Sequence, residues 1–597
     1  MADLVSEMDR DTDSGTDQMI TAEVFRQFKL WRDDPFFDEA TQAELRILAH
    51  DPDEIADRFG TSLAFGTGGL RGLIGAGTNR INRYTVAQAT EGLARYVLVQ
   101  GQEMCRRGVV IAFDSRLYAS WFAEIAAGVL CRHGILVYLS DAIRPVPVLS
   151  FAVRHLHAAA GIMITASHNP ACYNGYKVYG PDGGQITLEA AQTIQAAIRQ
   201  ASDMRRLSDT SFAASQASGR LYPFGAEIDE AYYAYLLANR VNPGHTDWLA
   251  DLKVVYTPLH GSGARFVPEI LNRAGCRQVR TVPEQARPDP FFSTVRMPNP
   301  ENPDALFLAA KLAVETDAQL VLGTDPDGDR VGLLAPDDAG VLRSLSGNQI
   351  GLLLLEFILR NRSQQGRLPP RSFVVTTIVS TRLAARVAAH YGVQTQETLT
   401  GFKFIGERIK LDDEEGDQTF LFGFEESFGY LAGTAVRDKD AVQAALLLAE
   451  MAAEARQQGE TLPARLDRLF QEFGYAAEDA VSFELSGLSG QARIRAIMNA
   501  LRQADYGASG SRLGDLPVKQ VCDYLAVTNR CTDLPVSDVL YWDMGGPLGC
   551  DWICARPSGT EPKLKIYMGA YDRSATKAAE QLVRYKAAIV TLIQSMM

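Results

Sequence analysis

The first residue that could do chemistry is Ser167, which stands in TASHNP (residues 165–170) directly after the apolar run GIMI. A hydroxyl between the end of a strand and a proline-limited turn is exposed and rigidly aimed, as a nucleophile or a phosphoryl carrier must be. Lys177 follows ten residues later, in NGYKVYG. The alternative is a turn whose Ser and Asn side chains only satisfy their own backbone.

A second loop, GTDPDGDR (residues 323–330), carries three carboxylates at alternate positions, Asp325, Asp327 and Asp329. Such a loop folds back and can turn all three side chains onto one hard cation. An EF-hand is excluded, because Arg330 and Pro336 stand where that motif requires glycine and glutamate. Three ligands from one loop leave coordination positions open, as Mg²⁺ bound to a substrate phosphate requires. The alternative is a solvated acidic turn.

Two further loops have the composition of sugar and phosphate sites. Glu425 and Ser427 in GFEESFG stand two residues apart, so they point the same way off an extended chain and suit neighbouring sugar hydroxyls. A helix N-terminus would explain the same pair. RPSGTEPK (residues 556–563) combines an arginine, two hydroxyls and a glycine into a nest of donors for a phosphate dianion, without the ending of a nucleotide P-loop. A β-turn is the alternative there.

Four more basic residues fall in or beside glycine-bearing loops, although the chain carries a net charge of −13. In an acidic protein this placement indicates a focused anion pocket. The four loops and these cations together predict an enzyme that handles a phosphosugar through a covalent phosphoryl step. The four residues are Arg71, Lys403, Arg437 and Lys439.

Short apolar runs such as VVIAFD (109–114), QLVLGTD (319–325) and SFVVTTIVS (372–380) alternate with helical segments and position these loops. Buried strands alternating with helices indicate α/β layers, and ligands then bind beyond the carboxyl ends of the strands. We predict three similar α/β domains with mixed sheets and a smaller C-terminal α+β domain. The expected divisions are an acidic leader with a helical collar (1–60), domain I (61–215), domain II (216–340), domain III (341–460) and domain IV (461–597).

Two helices are predicted in the collar. The apolar spacing in TAEVFRQFKLW (21–31) predicts the first, and the capping-box spacing of Thr41 and Glu44 predicts the start of a second, which Asp51-Pro52 ends.

The composition excludes several classes of protein. With 597 residues, 46% of them hydrophobic and 22% charged, the chain is a globular protein rather than a disordered or fibrous one. The acidic excess argues against nucleic acid as a partner, the acidic leader against export, and the short apolar runs against a membrane span. We therefore expect a cytoplasmic protein. Its eight cysteines show no metal-binding spacing and are interpreted as reduced, mostly buried thiols.

The four loops TASHNP, GTDPDGDR, GFEESFG and RPSGTEP resemble, in this order, the signature loops of the α-D-phosphohexomutase superfamily. The resemblance extends from about residue 65 to the end of the chain. FGTGGLRG, YTPLHGSG, VRMPNPENPDAL and VRDKDAV are similar to the branch with bacterial phosphoglucomutases and the phosphopentomutases and glucose-1,6-bisphosphate synthases of animals. The family fold is a heart-shaped arrangement of four domains, three of them α/β, which agrees with the predicted organisation.

The resemblance also implies a role for each matching residue. Ser167 would be the phosphoserine, and one of its phosphate oxygens would complete a Mg²⁺ site on Asp325, Asp327 and Asp329. Gly328 departs mildly from the family pattern, since many members have alanine there, and should only loosen the loop. The implied groups are catalytic Ser167, His168, Lys177, Arg71 and Arg330; sugar-binding Thr400, Gly401, Lys403, Glu425 and Ser427; phosphate-binding Arg556, Ser558, Gly559, Thr560 and Lys563; and, near the site, Arg437 and Lys439.

The implied reaction interconverts glucose 1-phosphate and glucose 6-phosphate through enzyme-bound glucose 1,6-bisphosphate. Lys177 and His168 match the residues proposed as general base and acid, and we expect nearby cations to lower the pKa of Lys177. Phosphomannomutase, phosphopentomutase and bisphosphate synthase activities remain alternatives, with phosphate release as a side reaction. A non-catalytic sugar-phosphate sensor is a remote alternative, because it should have lost some of these residues. The partner expected is a small phosphosugar, and the oligomeric state is left open.

Overall fold

The computed structural model describes residues 21–200, 212–485, 488–503, 511–526, 532–558 and 563–597. Within these ranges, four large sheets follow one another along the chain, each with helices packed against it. No helix of the described ranges is both long and apolar enough to cross a membrane. The acidic leader lies outside the described residues.

Three short helices precede the first sheet: α1 (Ala22–Asp33), α2 (Glu39–Ile47) and α3 (Pro52–Phe59). The first predicted helix is confirmed. The predicted capping box is wrong, because α2 begins two residues before Thr41 and the Asp38 side chain accepts from the Thr41 backbone N–H at 2.9 Å. Asp51 caps a third helix that the sequence analysis did not predict, since its side chain accepts from the Glu54 N–H at 3.0 Å.

The three helices form a collar around a small aromatic core. The Trp31 ring lies 5.3 Å from that of Tyr84, which begins the helix behind the first sheet. The Tyr84 hydroxyl donates to the Asp38 carboxylate at 2.8 Å. The collar is therefore fastened to the first sheet unit by both apolar and polar contacts.

The first sheet unit contains the serine loop. Its elements are β1 (Leu70–Leu73), α4 (Arg83–Val99), α5 (Gln102–Arg107), β2 (Val109–Phe113), α6 (Ala119–Arg132), β3 (Val137–Ser140), α7 (Val146–His155), β4 (Ala160–Ile164), β5 (Tyr173–Tyr179), α8 (Leu188–Gln200), α9 (Phe212–Ala217) and β6 (Leu221–Phe224). The strand order is β1-β5-β4-β2-β3-β6, with β2 parallel to β4 and β5 antiparallel to it. Phe113 pairs with Ile164, so the loops that begin at Asp114 and Thr165 lie side by side.

The second unit contains the acidic loop. Its elements are α10 (Ala226–Ala238), α11 (Thr246–Ala250), β7 (Lys253–Thr257), α12 (Gly263–Arg273), β8 (Gln278–Thr281), a 3₁₀ turn (Pro303–Leu306), α13 (Phe307–Thr316), β9 (Leu320–Thr324), β10 (Val331–Pro336) and β11 (Leu342–Ser344). The order is β11-β10-β9-β7-β8, with β7 parallel to β9 and β9 antiparallel to β10. The acidic loop is thus the turn between β9 and β10.

The third unit contains the predicted sugar loop. Its elements are α14 (Gly347–Gln364), β12 (Ser372–Thr377), α15 (Leu383–His390), β13 (Gln394–Thr398), α16 (Phe402–Glu415), β14 (Thr419–Glu425), β15 (Gly429–Ala432), α17 (Ala441–Gln457) and α18 (Leu462–Phe473). The order is β13-β12-β14-β15, and only the β14–β15 pair is antiparallel. Mixed sheets are therefore present in all three units, as predicted.

The last unit differs in plan. Its elements are β16 (Tyr475–Glu484), α19 (Leu488–Gln503), β17 (Arg512–Leu513), β18 (Leu516–Pro517), β19 (Gln520–Asp523), β20 (Leu540–Gly545), β21 (Asp551–Pro557), β22 (Lys563–Asp572) and α20 (Ala575–Gln594). The five-stranded sheet β16-β22-β21-β20-β19 is antiparallel throughout. This is the smaller α+β unit that the sequence predicts.

The expectation for the cysteines is wrong in part. Cys105, Cys131, Cys276 and Cys554 are buried free thiols, while Cys172 is an exposed one and Cys550 is half-buried. Cys522, on an edge strand of the last sheet, is disulfide-bonded. Sequence spacing could not predict this, because it carries no information on how close two sulfurs come in the fold. Cys531 lies outside the described residues.

A buried carboxylate joins the second and third units. Asp440 caps α17 by accepting from the Gln443 N–H at 2.8 Å, and the Tyr232 hydroxyl of α10 donates to it at 2.7 Å. Burial raises the pKa of Asp440 to about 6. The folded chain therefore holds this proton more tightly than the unfolded chain, whose pKa is about 4. Its contribution to stability is complete below about pH 4 and is lost as the pH rises through about 6.

We expect Asp440→Asn to remove this pH dependence. Asparagine keeps the acceptor for both hydrogen bonds and has no charge to bury, so the Tm of the variant relative to wild type should rise by about 2–4 °C between about pH 4.5 and about pH 7.5. Differential scanning fluorimetry across this range measures the difference. Asp304→Asn, at an exposed position, is the matched control and should show a constant difference. A constant difference for Asp440→Asn would contradict the assignment.

Candidate active site

Ser167 and the acidic loop meet across the boundary between the first two units. The Ser167 hydroxyl donates to Asp325 Oδ2 at 2.9 Å and lies 3.3 Å from His168 Nδ1. Its backbone has φ +52°, a left-handed conformation that non-glycine residues seldom adopt and that persists where surrounding contacts impose it. The hydroxyl is thus aimed at the carboxylates by its own loop.

The three aspartates form a cluster suited to a metal ion. One carboxylate oxygen of each lies within 4.8 Å of the others, and all three residues are buried. Burial, together with the charges of Asp327 and Asp329, raises the pKa of Asp325 well above its ordinary value. Asp327 Oδ1 and Asp329 Oδ1 accept no hydrogen bond from any described residue. Crowded carboxylates with unpaired buried oxygens fit a hard divalent cation, which would satisfy both the charge and the lone pairs.

Two lysines partly offset the charge of this cluster. Lys177 Nζ lies 2.8 Å from Asp327 Oδ2 and 3.5 Å from Asp329 Oδ2, and Lys439 Nζ lies 3.2 Å from Asp329 Oδ2. The expectation of a lowered pKa for Lys177 is wrong. Burial acts to lower it, but the Asp327 and Asp329 carboxylates outweigh burial, and the pKa of Lys177 lies above its ordinary value. Lys177 is therefore an ammonium cation.

His168 has the opposite character. Burial first, and then the positive charges of Arg330 and Arg71, hold the pKa of His168 well below its ordinary value. The imidazole is neutral at neutral pH, with Nδ1 facing the Ser167 hydroxyl. A neutral ring at this place can accept a proton from Ser167, as can Asp325, which already accepts the hydrogen bond of the hydroxyl.

The two arginines of the predicted catalytic group contact the serine and acidic loops. Arg71 Nη1 donates to Asn169 Oδ1 at 3.0 Å, within the serine loop. The Arg330 guanidinium forms an ion pair with Glu301. The Arg330 backbone forms a β-bridge with Gly429, at the end of the sugar loop. Arg330 therefore links the acidic loop to the third unit.

Glu425 and Ser427 end β14 beside the same cluster. Glu425 is buried, and burial raises its pKa against the opposing charges of Lys439 and Arg330. Ser427 acts to lower the pKa of Glu425 and is only half-buried. A carboxylate held in this way can accept from neighbouring hydroxyls of a ligand once water is displaced.

Lys403 of the third unit and Arg556 of the fourth unit are two neighbouring cations. Lys403 Nζ donates to Thr67 Oγ1 of the FGTGG segment at 2.6 Å. Burial, followed by the charge of Arg556, holds the pKa of Lys403 below its ordinary value. Beside Lys403, Gly401 has φ +120° and Thr400 Oγ1 is buried with no described hydrogen-bond partner. Two neighbouring cations repel each other, and a bound anion would relieve that repulsion.

Other parts of the predicted phosphate-binding group are placed less completely. Arg556 and Ser558 are half-buried near the end of β21. Lys563 Nζ lies 2.9 Å from Glu484 Oε1, across the β16–β22 pair. Gly559 and Thr560 lie outside the described residues.

Arg437 contacts neighbouring parts of the fold rather than the acidic cluster. Its guanidinium contacts Asp413 of α16 and the Thr434 carbonyl, and its backbone N–H donates to Ser150 Oγ at 2.9 Å. It therefore joins the first unit to the third, whereas its neighbour Lys439 reaches the acidic cluster.

Residues that sequence reasoning missed lie behind the serine loop. Asp114 Oδ2 accepts from the Thr165 hydroxyl at 2.6 Å, and the Arg116 side chain donates to the carbonyls of the serine loop. Both stand in FDSR, directly after the apolar strand β2. The rule that ligands lie beyond the carboxyl ends of strands applies to this strand as well and could have found them.

Comparison with protein families agrees with this architecture. The chain matches three models described as phosphoglucomutase/phosphomannomutase alpha/beta/alpha domains I, II and III, over residues 62–205, 230–338 and 346–473.

Individual proteins give the same result. The chain is 38% identical over 527 residues to a phosphoglucomutase of Staphylococcus aureus (strain bovine RF122 / ET3-1), covering 86% of this chain and 91% of the relative. In crystal structures, the fold is similar to that of a Paramecium phosphoprotein, parafusin, described as a phosphoglucomutase, with a TM-score of 0.63 and 17% identity over 89% of this chain and 96% of that one. A Burkholderia thailandensis protein of the phosphoglucomutase/phosphomannomutase family gives a TM-score of 0.61 at 18% identity, over 89% and 97% of the two chains.

Proposed function

Since the chain belongs to the phosphoglucomutase/phosphomannomutase family and is an isomerase that works by phosphoryl transfer, we propose that it interconverts glucose 1-phosphate and glucose 6-phosphate. The phosphoglucomutase names of relatives at 37–38% identity support glucose as the sugar. The proposed cofactors are Mg²⁺ and glucose 1,6-bisphosphate, the latter as both activator and intermediate.

The observation that carries this proposal is the distance of 2.9 Å between Ser167 Oγ and Asp325 Oδ2. It places a hydroxyl that can bear a phosphoryl group at the edge of a carboxylate cluster that fits a divalent cation. The two residues are 158 positions apart in the chain and come from different sheets. A surface serine and a solvated acidic turn would have no reason to meet in this way.

Asp325, Asp327 and Asp329 would hold Mg²⁺ together with an oxygen of phosphorylated Ser167. A Mg²⁺ ion bound there would neutralise charge on the phosphoryl group as it moves. Lys177 and Lys439 stand on the same side of the cluster and add fixed positive charge. Asp325, which pairs with neither lysine, carries the hydrogen bond from Ser167.

In the first half-reaction, the free hydroxyl of a bound monophosphate attacks the phosphorus on Ser167. A new P–O bond forms to the sugar, the P–Oγ bond breaks, and the proton lost by the hydroxyl is matched by one gained at Ser167 Oγ. In the second, Ser167 Oγ attacks the other phosphate of the bisphosphate, so that a new P–Oγ bond forms and the P–O bond to the sugar breaks. Ser167 gives its proton to neutral His168, 3.3 Å away, and the departing sugar oxygen takes that proton up to become a hydroxyl. The isomeric monophosphate then leaves.

The sugar must turn over between the two half-reactions, so its binding groups have to accept it in two orientations. Glu425 and Ser427 accept from hydroxyls, which both orientations present. Lys403 and Arg556, with Ser558, would bind whichever phosphate is not reacting, and they come from the third and fourth units.

The deciding experiment is a coupled assay with glucose 1-phosphate, Mg²⁺ and catalytic glucose 1,6-bisphosphate, repeated with mannose 1-phosphate and ribose 1-phosphate. Fast turnover of glucose 1-phosphate with slow rates on the others is expected. A preference for mannose or ribose would retain the mechanism and change the substrate. Bisphosphate accumulation without isomerisation would indicate a synthase, and no turnover of any sugar would contradict the proposal.

We expect Glu425→Gln to lower kcat/KM for glucose 1-phosphate by about 10- to 100-fold, because charge-assisted hydrogen bonds to sugar hydroxyls are lost. Steady-state kinetics measure the change. Glu414→Gln is the matched control, since Glu414 is an exposed residue of the same unit. Wild-type kinetics in Glu425→Gln would show that this carboxylate does not contact the sugar.

A further inference from the structure

One buried guanidinium lies directly behind the serine loop. Arg116 Nη2 donates to the carbonyl oxygens of Ser167 and Asn169, both at 2.5 Å, and Nη1 donates to those of Pro170 and Tyr173, at 2.9 and 3.0 Å. Its side chain is 0% exposed. A single side chain thus ties together the backbone of residues 167–173.

A second chain of hydrogen bonds holds the start of the same loop. Asp114 Oδ2 accepts from the Thr165 hydroxyl at 2.6 Å, and Thr165 Oγ1 accepts from the Ser167 N–H at 2.8 Å. Asp114 also lies 3.4 Å from the Arg116 guanidinium. The N–H and the carbonyl of Ser167 are therefore both held from behind, and its hydroxyl is left facing the acidic cluster.

The second unit covers the guanidinium. The Phe292 ring lies 4.9 Å from the centre of the Arg116 guanidinium, and Phe292 is itself buried. An aromatic face over a cation excludes water and adds a favourable electrostatic contact. The hydrogen bonds of Arg116 consequently lie in a dry environment, where they are strong and directional.

We propose that Arg116 is a positioning residue, which aims the Ser167 hydroxyl for phosphoryl transfer without touching the sugar. This inference rests on the proposed role of Ser167. The left-handed backbone at Ser167, φ +52°, is unfavourable alone, and the four bonds to Arg116 offset its cost. The planar guanidinium of an arginine can present one nitrogen to each of the two pairs of carbonyls. A lysine at this position has one nitrogen and cannot span them.

The test compares Arg116→Lys with Arg107→Lys. Arg107 also donates to backbone carbonyls of the same unit, those of His157 and Ala158, which lie at the opposite end of β4 from the serine loop. Each full-length variant is loaded with glucose 1,6-bisphosphate, freed of ligand and mixed with glucose 1-phosphate. The readout is the single-turnover rate constant for loss of phosphate from Ser167, normalised to the phosphoserine content found by mass spectrometry. This normalisation removes any effect of misfolded chains.

Arg116→Lys is expected to lower this rate constant by about 100-fold, because misaiming a reacting group by about 1 Å has such an effect, with the KM for glucose 1-phosphate changed less than about threefold. Arg107→Lys should match wild type. A wild-type rate constant in Arg116→Lys would overturn the inference, whereas wild-type enzyme that never carries phosphoserine would overturn the proposed function as well.

If Arg116→Lys does not fold, Phe292→Leu provides the same test in a milder form. It retains every hydrogen bond of Arg116 and removes only the aromatic cover. A fall of at least about threefold in the normalised rate constant is expected, and an unchanged constant would overturn the inference.

Discussion

Ser167→Ala is expected to abolish mutase turnover, with kcat falling by at least ~10⁴-fold, because no other group can carry the phosphoryl group between half-reactions. The change removes one hydroxyl, its bond to Asp325 and its contact with His168. The contacts of Thr165 and Arg116 with the backbone of residue 167 do not involve its side chain, so the fold should remain intact. The coupled assay measures turnover, and intact mass after loading with glucose 1,6-bisphosphate should show phosphate on wild type only.

The control is Ser344→Ala, on the exposed strand β11 of the second unit, which should behave as wild type in both measurements. Near-ultraviolet circular dichroism checks that each variant has native packing. Folded Ser167→Ala enzyme with normal turnover would exclude the phosphoserine mechanism.

Asp327→Asn is the second change with a large expected effect. It retains the shape of the side chain and removes one of three charges from the cluster, so we expect kcat to fall on the order of 10³-fold at saturating Mg²⁺. A readout independent of activity is the shift of Tm on adding Mg²⁺. Wild type should gain stability as the ion binds the folded chain, and Asp327→Asn should gain far less.

Asp317→Asn is the matched control. Asp317 is exposed and pairs with Lys253 at the surface, so its removal should leave both activity and the Mg²⁺-dependent shift of Tm unchanged. If Asp327→Asn retained full activity and the wild-type shift, the cation site would lie elsewhere.

The meeting of Ser167 with the aspartates could be expected from the sequence, because it depends on few physical facts. Apolar runs such as GIMI and QLVL form buried strands, and the polar loops that follow parallel strands lie beyond their carboxyl ends. The loop types then identify the chemistry. The start of α2 was harder to predict, since Asp38 and Thr41 are both good capping residues. The hydrogen bond between Tyr84 and Asp38, which comes from a distant part of the chain, decides between them.

The charge partners and pKa values of the site residues were predicted less well than their positions. VRDKDA presents Arg437 and Lys439 as equivalent cations, yet one reaches Asp413 and the other Asp329. The pKa of Lys177 depends on its distance from Asp327, a residue 150 positions away, and no spacing in the sequence encodes that distance. Arg116 binds backbone carbonyls and so leaves no motif in its partners, and its position directly after β2 was the signal that could have identified it.

The order of the loops along the chain has a consequence for how the enzyme is made. Ser167, the aspartates, Glu425 and Arg556 belong to four successive sheets, so translation produces Ser167 first and Arg556 last. Each sheet can pair its strands as soon as it has left the ribosome, since all its strands lie within one stretch of sequence. With the roles proposed above, a nascent chain that stops short of Arg556 would have Ser167 and the aspartates but could not bind both phosphates of a bisphosphate. Synthesis interrupted late is therefore expected to yield chains with no mutase activity rather than a weakened enzyme.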